Sequence, residues 1–583
     1  MEKGLDEEDD SSIQYKIDET PPLYLCILLA FQHYISMFIA TLTVPILLAP
    51  AICMGDDNVG KSEITGTLFV ASGIITLLQT CFGCRLPVVQ AGTFALLVPT
   101  LSYLRLPQWE CPSNIRLGFG TTAVHVLSHL WLQIQGAIMV AALMEVVFGA
   151  SGAVGVLLRF VGPLTICPTV ALLGLSLFTS AANFASQHWW ISITTIFLIV
   201  LFSQYLGNIN VPCAGYSKER GFHSKGYPLF KMFPIIIAIG VCWLLCVIFT
   251  VTDVFPKDPN QWGHMARTDL RVDALYSSPW FRLPYPGQWG MPTVSLAAVC
   301  ALLSGVLSTI VESVGDYHAC AKLAGAPPPP LHAVNRGILV EGIGTLLDGM
   351  FGTGNGTTST SINVGVVGIT KVGSRRVVQV SALFMIVFGI FTKFGALFIT
   401  IPDPIIGGTF FILFGMIVAV GISNLQYVDL NSSRNLFIIG FSFFNGLALS
   451  EFAKNNPGTI HTGSNVVDNI FQVLLSTNMF VGGVTGFILD NTIPGTEKER
   501  GIAIWKDLRE AQKEASMSQH MRDRLSASYD LPFGMQYIRK IKFLRYVPFS
   551  PTYQQYVAVD GFHDEERTLE VDRERNELLD SKL

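Results

Sequence analysis

Charged residues are scarce in this chain of 583 residues, at 14% of the composition, whereas a soluble globular chain carries about a quarter. The charges that are present concentrate in the opening MEKGLDEEDD and in the stretch from residue 498 onward. Half of the residues are hydrophobic, and most of them fall in apolar segments of about 20 residues, the length that crosses a bilayer core. The composition excludes a soluble fold and predicts an all-α polytopic membrane protein.

Several signatures of chemistry are missing from the sequence. It contains no phosphate-binding glycine loop, no zinc-ligand spacing and no nucleophile–base arrangement. The lack of a Walker motif disfavours a primary pump, and we expect neither an enzyme nor a bound cofactor, and no nucleic-acid partner. We expect no cleavable signal peptide, because the N-terminus is acidic and the apolar run from Leu23 is too long for one.

The apolar segments number fourteen, and an even number places both tails on one side of the membrane. The short loops on the side of the N-terminus are basic, with SKERGFHSKG and KVGSRR as the densest examples. Because cytoplasmic loops carry an excess of Lys and Arg, we expect both tails to be cytoplasmic.

A faint internal repeat divides the segments into two sets of seven. Pro163 precedes Gly174 by eleven residues at the start of the fifth span, and Pro404 precedes Gly415 by eleven at the start of the twelfth. The third and tenth spans are both short and irregular. Sets of seven have opposite topology, and paired interrupted spans in inverted halves indicate the binding site of a transporter.

The tenth span contains the stretch GTGNGTTSTSIN, with five consecutive hydroxyl side chains at residues 357–361. Irregular backbone at membrane depth survives only where it is buried in protein or lines a cavity. Glycines also serve close helix packing, which is the alternative. The run of hydroxyls followed by Asn363 favours a binding site.

Two acids in the eighth span, Glu312 and Asp316, are four residues apart and share one helical face. Like charges so placed repel unless a cation or a proton lies between them, and oxygen ligands suit a hard cation such as Na⁺. The alternative is that Asp316 is solvated at the helix end. Glu145 is interpreted as a structural partner or a proton-sensitive group, and Glu341 and Asp348 are interpreted as charges at the boundary of a span over 337–351.

Two further positions carry open alternatives. His33, in the first span, is either a residue that hydrogen-bonds between helices or a ligand. Cys53 and Cys111 both fall in predicted extracellular loops, where the oxidising compartment favours a disulfide.

Five motifs now resemble one family in sequence order: FQHY, VESVGDYHACAKLAGAPPPP, NRGI, INVGVVGITKVGSRRV and ILDNTIPGTEKERGI. Residues 20 to 505 resemble the nucleobase–ascorbate transporter family, and especially its animal branch of sodium-dependent vitamin C transporters. The resemblance implies fourteen spans in seven-plus-seven inverted repeats, with a core domain that moves substrate like an elevator against a gate domain, commonly in a homodimer. The implied divisions are a disordered cytoplasmic tail (1–22), core (23–153), gate (154–255), an extracellular loop (256–292), core (293–400), gate (401–492) and a cytoplasmic tail (493–583).

The resemblance also assigns roles to individual residues. The sodium site centres on Asp316, with His33, Gly92 and Ser359 as candidate helpers. Phe94 stacks on the substrate and Glu312 binds it directly. The full set of implied substrate-binding residues is Gly92, Thr93, Phe94, Glu312, Ser359, Thr360, Ser361 and Asn363.

One position departs from the family pattern. Nucleobase members begin the signature before Asn363 with Gln or Glu and ascorbate members with Pro, whereas this chain has Ile362. A mammalian relative within the vitamin C branch transports nucleobases with sodium, and this chain resembles it. We therefore expect sodium-coupled nucleobase uptake at the plasma membrane, with L-ascorbate as the alternative substrate. A channel or a non-transporting receptor is the alternative class.

Overall fold

The computed structural model describes residues 13–54, 57–109, 121–217, 221–496, 499–501 and 528–553. This part of the chain is mostly helical. It contains eight helices long and apolar enough to cross a membrane, or ten if each of two sharply bent helix pairs is one span, and three shorter apolar helices. The count of fourteen spans stays a prediction.

The first half of the chain supplies three short strands, of which β2 and β3 form a hairpin, and most of the shorter helices. Its elements are α1 (Leu23–Ala51), α2 (Asn58–Cys81), β1 (Gln90–Gly92), α3 (Phe94–Leu104), α4 (Thr121–Ser151), α5 (Val154–Phe160), α6 (Pro163–Leu175), α7 (Phe178–Ser186), α8 (Trp189–Val200), β2 (Val211–Ser217), β3 (Gly221–Tyr227), α9 (Leu229–Met232), α10 (Pro234–Val251) and α11 (Val272–Ser277).

The second half contains longer helices and a fourth strand. Its elements are α12 (Leu296–Leu323), α13 (Leu331–Phe351), β4 (Thr357–Ser359), α14 (Ser361–Thr370), α15 (Arg375–Ile390), α16 (Thr392–Ile399), α17 (Asp403–Ser423), α18 (Ser433–Asn455), α19 (Asn465–Leu475), α20 (Asn478–Thr492) and α21 (Met535–Ile538).

The helices pack into two bundles. In the core bundle α13 lies along α4, α15 along α2 and α1, and α12 along α3 and α4. In the second bundle, which is called the gate bundle after the predicted division, α17 packs on α6, α7 and α8, and α20 packs on α6 and α18. The bundles meet where α12 and α3 contact α6 and α19. Small residues allow the close approaches, since a Cβ added at Gly174 of α6 would lie 2.7 Å from the carbonyl oxygen of Phe414.

The loop between α10 and α12 contacts both bundles. On the gate side, the Trp262 Nε1 donates to the Ser186 carbonyl at 3.0 Å, and Arg271 forms an ion pair of 2.7 Å with Asp403 at the start of α17. On the core side, the Ser278 and Ser62 hydroxyls are 3.2 Å apart. This loop therefore bridges the two bundles at one end of the molecule.

Cys53 lies just after α1 and is disulfide-bonded. The predicted partner, Cys111, lies outside the described residues, so the pairing stays a prediction.

Of the cytoplasmic tail predicted for residues 1–22, residues 1–12 lie outside the described residues, so their predicted disorder stays a prediction. Residues 13–19 run beside the loop after α14, where the Gly373 N–H donates to the Tyr15 carbonyl at 2.9 Å and the Gln14 N–H donates to the Lys371 carbonyl at 2.9 Å. The Arg375 guanidinium pairs with Asp18. The segment is held in place because this loop supplies backbone partners and because the Ile17 side chain is buried in the core.

The C-terminal tail also contacts the core bundle. Tyr529 has no exposed surface; its hydroxyl donates to the Pro327 carbonyl, and its own carbonyl accepts from Arg336 at 2.7 Å. The Ser528 carbonyl accepts from Arg375 at 3.1 Å. The part of the tail at residues 528–553 is thus bound to the ends of core helices.

Truncation of the buried ring tests this packing. Tyr529→Ala should lower thermal stability in detergent, because emptying a buried aromatic site costs about 3–5 kcal/mol. Tyr537→Ala is the matched control, since Tyr537 is 74% exposed in the same segment and surface changes stay within about 0.5 kcal/mol. Equal melting temperatures for the two variants, measured by size-exclusion chromatography after heating, would contradict the assignment of Tyr529 as an anchor.

Candidate functional site

The two interrupted spans meet in the middle of the core bundle. Strand β1 pairs antiparallel with β4, with Gln90 opposite Ser359 and Gly92 opposite Thr357. The pairing continues past the strands, where the Thr93 N–H donates to the Gly356 carbonyl and the Thr360 N–H donates to the Val89 carbonyl, each at 3.1 Å. Because α3 and α14 begin immediately after these strands, their N-termini, which carry partial positive charge, come close together at this point.

Asp316 on α12 is the charged centre of the site. Its carboxylate accepts a hydrogen bond from the Ser359 hydroxyl at 2.9 Å and from the Ser361 hydroxyl at 2.7 Å. The residue is only 6% exposed, so the interpretation of a solvated helix end is wrong. The Ser313 hydroxyl extends the cluster, lying 3.1 Å from that of Ser359 and 2.8 Å from that of Thr358.

Glu341 holds β4 from the other side. One carboxylate oxygen accepts from the Ser359 N–H at 2.6 Å and from the Thr358 hydroxyl at 3.1 Å. The other oxygen accepts from the Tyr317 hydroxyl at 3.0 Å, and Gln79 donates to that hydroxyl at 2.6 Å. The prediction of a boundary charge is wrong, because α13 begins at Leu331 and places Glu341 in mid-helix.

Glu312 lies one turn before Asp316 on the same helix. It is half-buried, and its carboxylate has no hydrogen-bond donor among the residues that the structure describes. Its acceptor oxygens are therefore available to a ligand. Neither Glu312, Asp316 nor Glu341 forms a salt bridge within the described ranges.

Phe94 lies where the two bundles meet. It opens α3 and contacts Phe414 of the gate helix α17 edge to face, with ring centroids 5.8 Å apart. The neighbouring Gly92 is tightly enclosed, since an added Cβ would lie 3.2 Å from side-chain carbons of Leu68 and Val44. The Thr93 hydroxyl accepts a hydrogen bond from the Ala95 N–H at 3.1 Å and thereby caps the N-terminus of α3.

His33 and Asn363 pair with each other instead of joining the Asp316 cluster. The Asn363 amide donates to the His33 carbonyl at 2.8 Å and lies 3.2 Å from the His33 Nδ1. Both residues are buried. The structure thus gives His33 the hydrogen-bonding role between helices, joining α1 to α14, and its described contacts do not support a sodium ligand.

A second set of buried acids lies behind β4. Glu145 of α4 accepts from the Thr309 hydroxyl at 2.5 Å, and Asp348 of α13 accepts from the Thr357 hydroxyl at 2.8 Å. The Asp348 side chain has no exposed surface, so it too is not a boundary charge. Sequence reasoning placed Glu341 and Asp348 at a boundary because it set the span ends from hydropathy. The available signal was that the two acids are seven residues apart, which puts them two turns apart on one face of a helix.

The arrangement can bind a cation beside a ligand. Burying a carboxylate without a basic partner is energetically unfavourable. The hydroxyl oxygens around Asp316, together with its carboxylate, form a set of oxygen ligands of the kind that a small cation prefers. Two helix N-termini and the unpaired Glu312 oxygens lie close to that set. Such a constellation binds and positions solutes, and it contains no activated nucleophile.

Comparison with known proteins gives the family. A family model described as a permease family matches residues 25–454. Solute carrier family 23 member 2 of Mus musculus is 52% identical over 97% of this chain and 86% of the relative, and member 1 of the same organism is 52% identical over 93% and 89%. Nucleobase-ascorbate transporter 1 of Arabidopsis thaliana is 37% identical over 90% and 96%.

Among solved structures, that of SLC26A9 aligns with 73% of this chain and 62% of its own, at 12% identity and a TM-score of 0.49. The family match covers more than half of the chain, and the relatives match along almost all of it. The resemblance carried by the motifs is confirmed. The chain is a membrane-spanning transporter, not an enzyme, and it belongs to the nucleobase–ascorbate transporter family.

Proposed function

We propose that this transporter is a sodium-coupled symporter. The observation that carries the proposal is the Asp316 carboxylate, which is buried between two serine hydroxyls and has no basic residue paired to it in the part of the chain that the structure describes. An uncompensated charge in a low-dielectric interior is strongly unfavourable. A monovalent cation at Asp316, with Ser359 and Ser361 as further oxygen ligands, would neutralise it.

Glu312 and Phe94 supply the substrate contacts in this proposal. No residue within the described ranges donates to the Glu312 carboxylate, and its acceptor oxygens suit the O–H or N–H groups of a small ring. Phe94 offers an apolar face beside the gate helix, so that a planar ring could lie between the two bundles. The position supports transport by displacement of the core bundle against the gate.

L-ascorbate is the substrate that the similarity of this chain to its relatives supports. The sequence of the site by itself had favoured a nucleobase. The motifs resemble the vitamin C branch, and identity is higher to the animal relatives, at 52%, than to the plant nucleobase–ascorbate transporter, at 37%. Ascorbate is an anion at neutral pH. It would therefore enter a site that contains Glu312 and Asp316 only together with cations or protons, which supports coupling of its transport to a cation.

A nucleobase is the second candidate. Ile362 stands where ascorbate members of the family carry Pro, which is the local difference that favours it. A neutral base with ring N–H donors also matches the Glu312 acceptors without adding negative charge to an acidic site.

The resemblance further supports a homodimer in the plasma membrane with both tails cytoplasmic. Surrounding lipid is then a partner as well as the solute and Na⁺. No cofactor beyond the coupling ion belongs to this proposal.

Uptake assays separate the substrates. Cells that express the chain should accumulate radiolabelled ascorbate in a saturable manner and only when Na⁺ is present. Accumulation of uracil or hypoxanthine without accumulation of ascorbate would reject ascorbate and support a nucleobase as the substrate. Linear, voltage-driven flux that persists without Na⁺ would indicate a channel and contradict symport.

Charge removal at the two acids should have different effects. Asp316→Asn should raise the Na⁺ concentration for half-maximal uptake by roughly tenfold or more, since each 1.4 kcal/mol of lost binding is a factor of ten. Glu312→Gln should instead abolish or alter substrate recognition, because an amide presents a donor where the carboxylate presents only acceptors. Asp258→Asn, in the exposed part of the loop, is the charge-matched control. An unchanged Na⁺ dependence in Asp316→Asn with uptake intact would refute the ion site.

The serine ligands allow a finer test. Ser361→Ala removes a hydroxyl 2.7 Å from Asp316 and should also raise the half-maximal Na⁺ concentration, by less than Asp316→Asn because the charge remains. Ser423→Ala is the control, since that hydroxyl bonds the Val420 carbonyl of its own helix. Sodium titrations of uptake measure both. A similar shift in the two serine variants would count against a ligand role for Ser361.

A further inference from the structure

The C-terminal segment 531–547 combines exposed aromatic rings with positive charge. Phe533 is 71% exposed, Tyr537 74% and Phe543 71%. The segment contains four basic residues and no Asp or Glu. Large apolar side chains exposed together are unusual on a surface that meets only water.

The segment is fixed at the ends of helices that cross the membrane. Just before it, Tyr529 is anchored to Pro327, which follows α12. The Phe533 ring contacts Phe82, which follows α2, at a centroid distance of 5.6 Å. Just after it, the Pro548 carbonyl accepts from Asn335 in the second turn of α13 at 3.1 Å. Helices α2 and α12 are both membrane-crossing by length and composition, so the segment lies at the boundary between hydrocarbon and water.

The charges of the segment point to a lipid partner. Arg539 pairs with Asp530 at 2.7 Å, whereas Lys540, Lys542 and Arg545 are exposed. Protein–protein interfaces are depleted in Lys. Interfacial membrane segments, by contrast, combine basic residues with aromatic rings that sit at the headgroup level, and polybasic segments attract anionic leaflets.

We propose that residues 531–547 form a membrane-surface anchor that binds the anionic headgroups of the bilayer that the chain itself crosses. Lys540, Lys542 and Arg545 contact the phosphate-bearing headgroups, and Phe533 and Phe543 enter the headgroup boundary. Because residues 528–548 are attached to core helices, the anchor ties the core bundle to the membrane surface.

Hydrogen–deuterium exchange on the full-length protein in nanodiscs tests the anchor. Amides of 531–547 should be more protected in phosphatidylcholine discs that contain phosphatidylserine than in phosphatidylcholine alone. The triple variant Lys540→Gln, Lys542→Gln and Arg545→Gln should be protected equally in the two kinds of disc. Each charge that is removed should lower the protection in the phosphatidylserine discs by about fivefold, since a basic residue near an anionic surface contributes about 1 kcal/mol. High salt should act in the same direction.

The control retains the charges at the same sites through Lys540→Arg, Lys542→Arg and Arg545→Lys, and it should keep the protection of the unmodified chain. Phe533→Ser with Phe543→Ser should lower protection in both kinds of disc, because ring insertion does not depend on headgroup charge. Equal protection in the two discs, or a Gln variant that matches the unmodified chain, would overturn the proposal. Protection that appears only when a soluble protein is added would assign the surface to a protein partner and overturn it too. None of these outcomes depends on which solute is transported.

Discussion

Two strands of three residues each hold the centre of this protein together. Lipid offers no hydrogen bonds to backbone groups, so a span that stops being helical must find partners inside the protein. Strands β1 and β4 supply each other with those partners, and the bonds on either side of the strands continue the exchange. This mutual satisfaction allows both spans to be interrupted at the same place, and it brings the start of α3 and the start of α14 together.

The side chains around the strands extend this arrangement to acids on neighbouring helices. Glu341 holds the backbone of Ser359, and the hydroxyl of the same serine reaches Asp316. The strand therefore lies between two carboxylates on different helices, α13 and α12. Binding or loss of a cation at Asp316 would change the contacts of β4 directly, because Ser359 of this strand contacts both acids.

The connections between the bundles sit away from this centre. Arg271 of the long loop pairs with Asp403 at the start of a gate helix, while Ser278 of the same loop contacts Ser62 in the core. At the other end, Arg500 pairs with Asp490 in the gate, and Tyr529 is buried on the core. A relative movement of the bundles would therefore have to change the contacts that the long loop makes with one bundle or the other.

The amino-acid sequence alone determined the class of this protein and much of its site. Hydrophobic runs of membrane-crossing length, two interrupted spans and the spacing of Glu312 and Asp316 are local features, and local features can be read from neighbouring residues.

The same reading of the sequence misplaced Glu341 and Asp348, because hydropathy marks where a helix enters lipid and not where a polar residue finds a partner. It also left His33 open between a hydrogen-bonding residue and an ion ligand, and it gave no contacts for residues 13–19 and 528–553. Only the tertiary structure decided these points. The donor to His33 is Asn363, the donors to Glu341 are Thr358, Ser359 and Tyr317, and the hydrogen-bond partners of Tyr529 are Pro327 and Arg336. Contacts between residues so far apart in sequence leave no periodic pattern in it, because they depend on how separate helices pack.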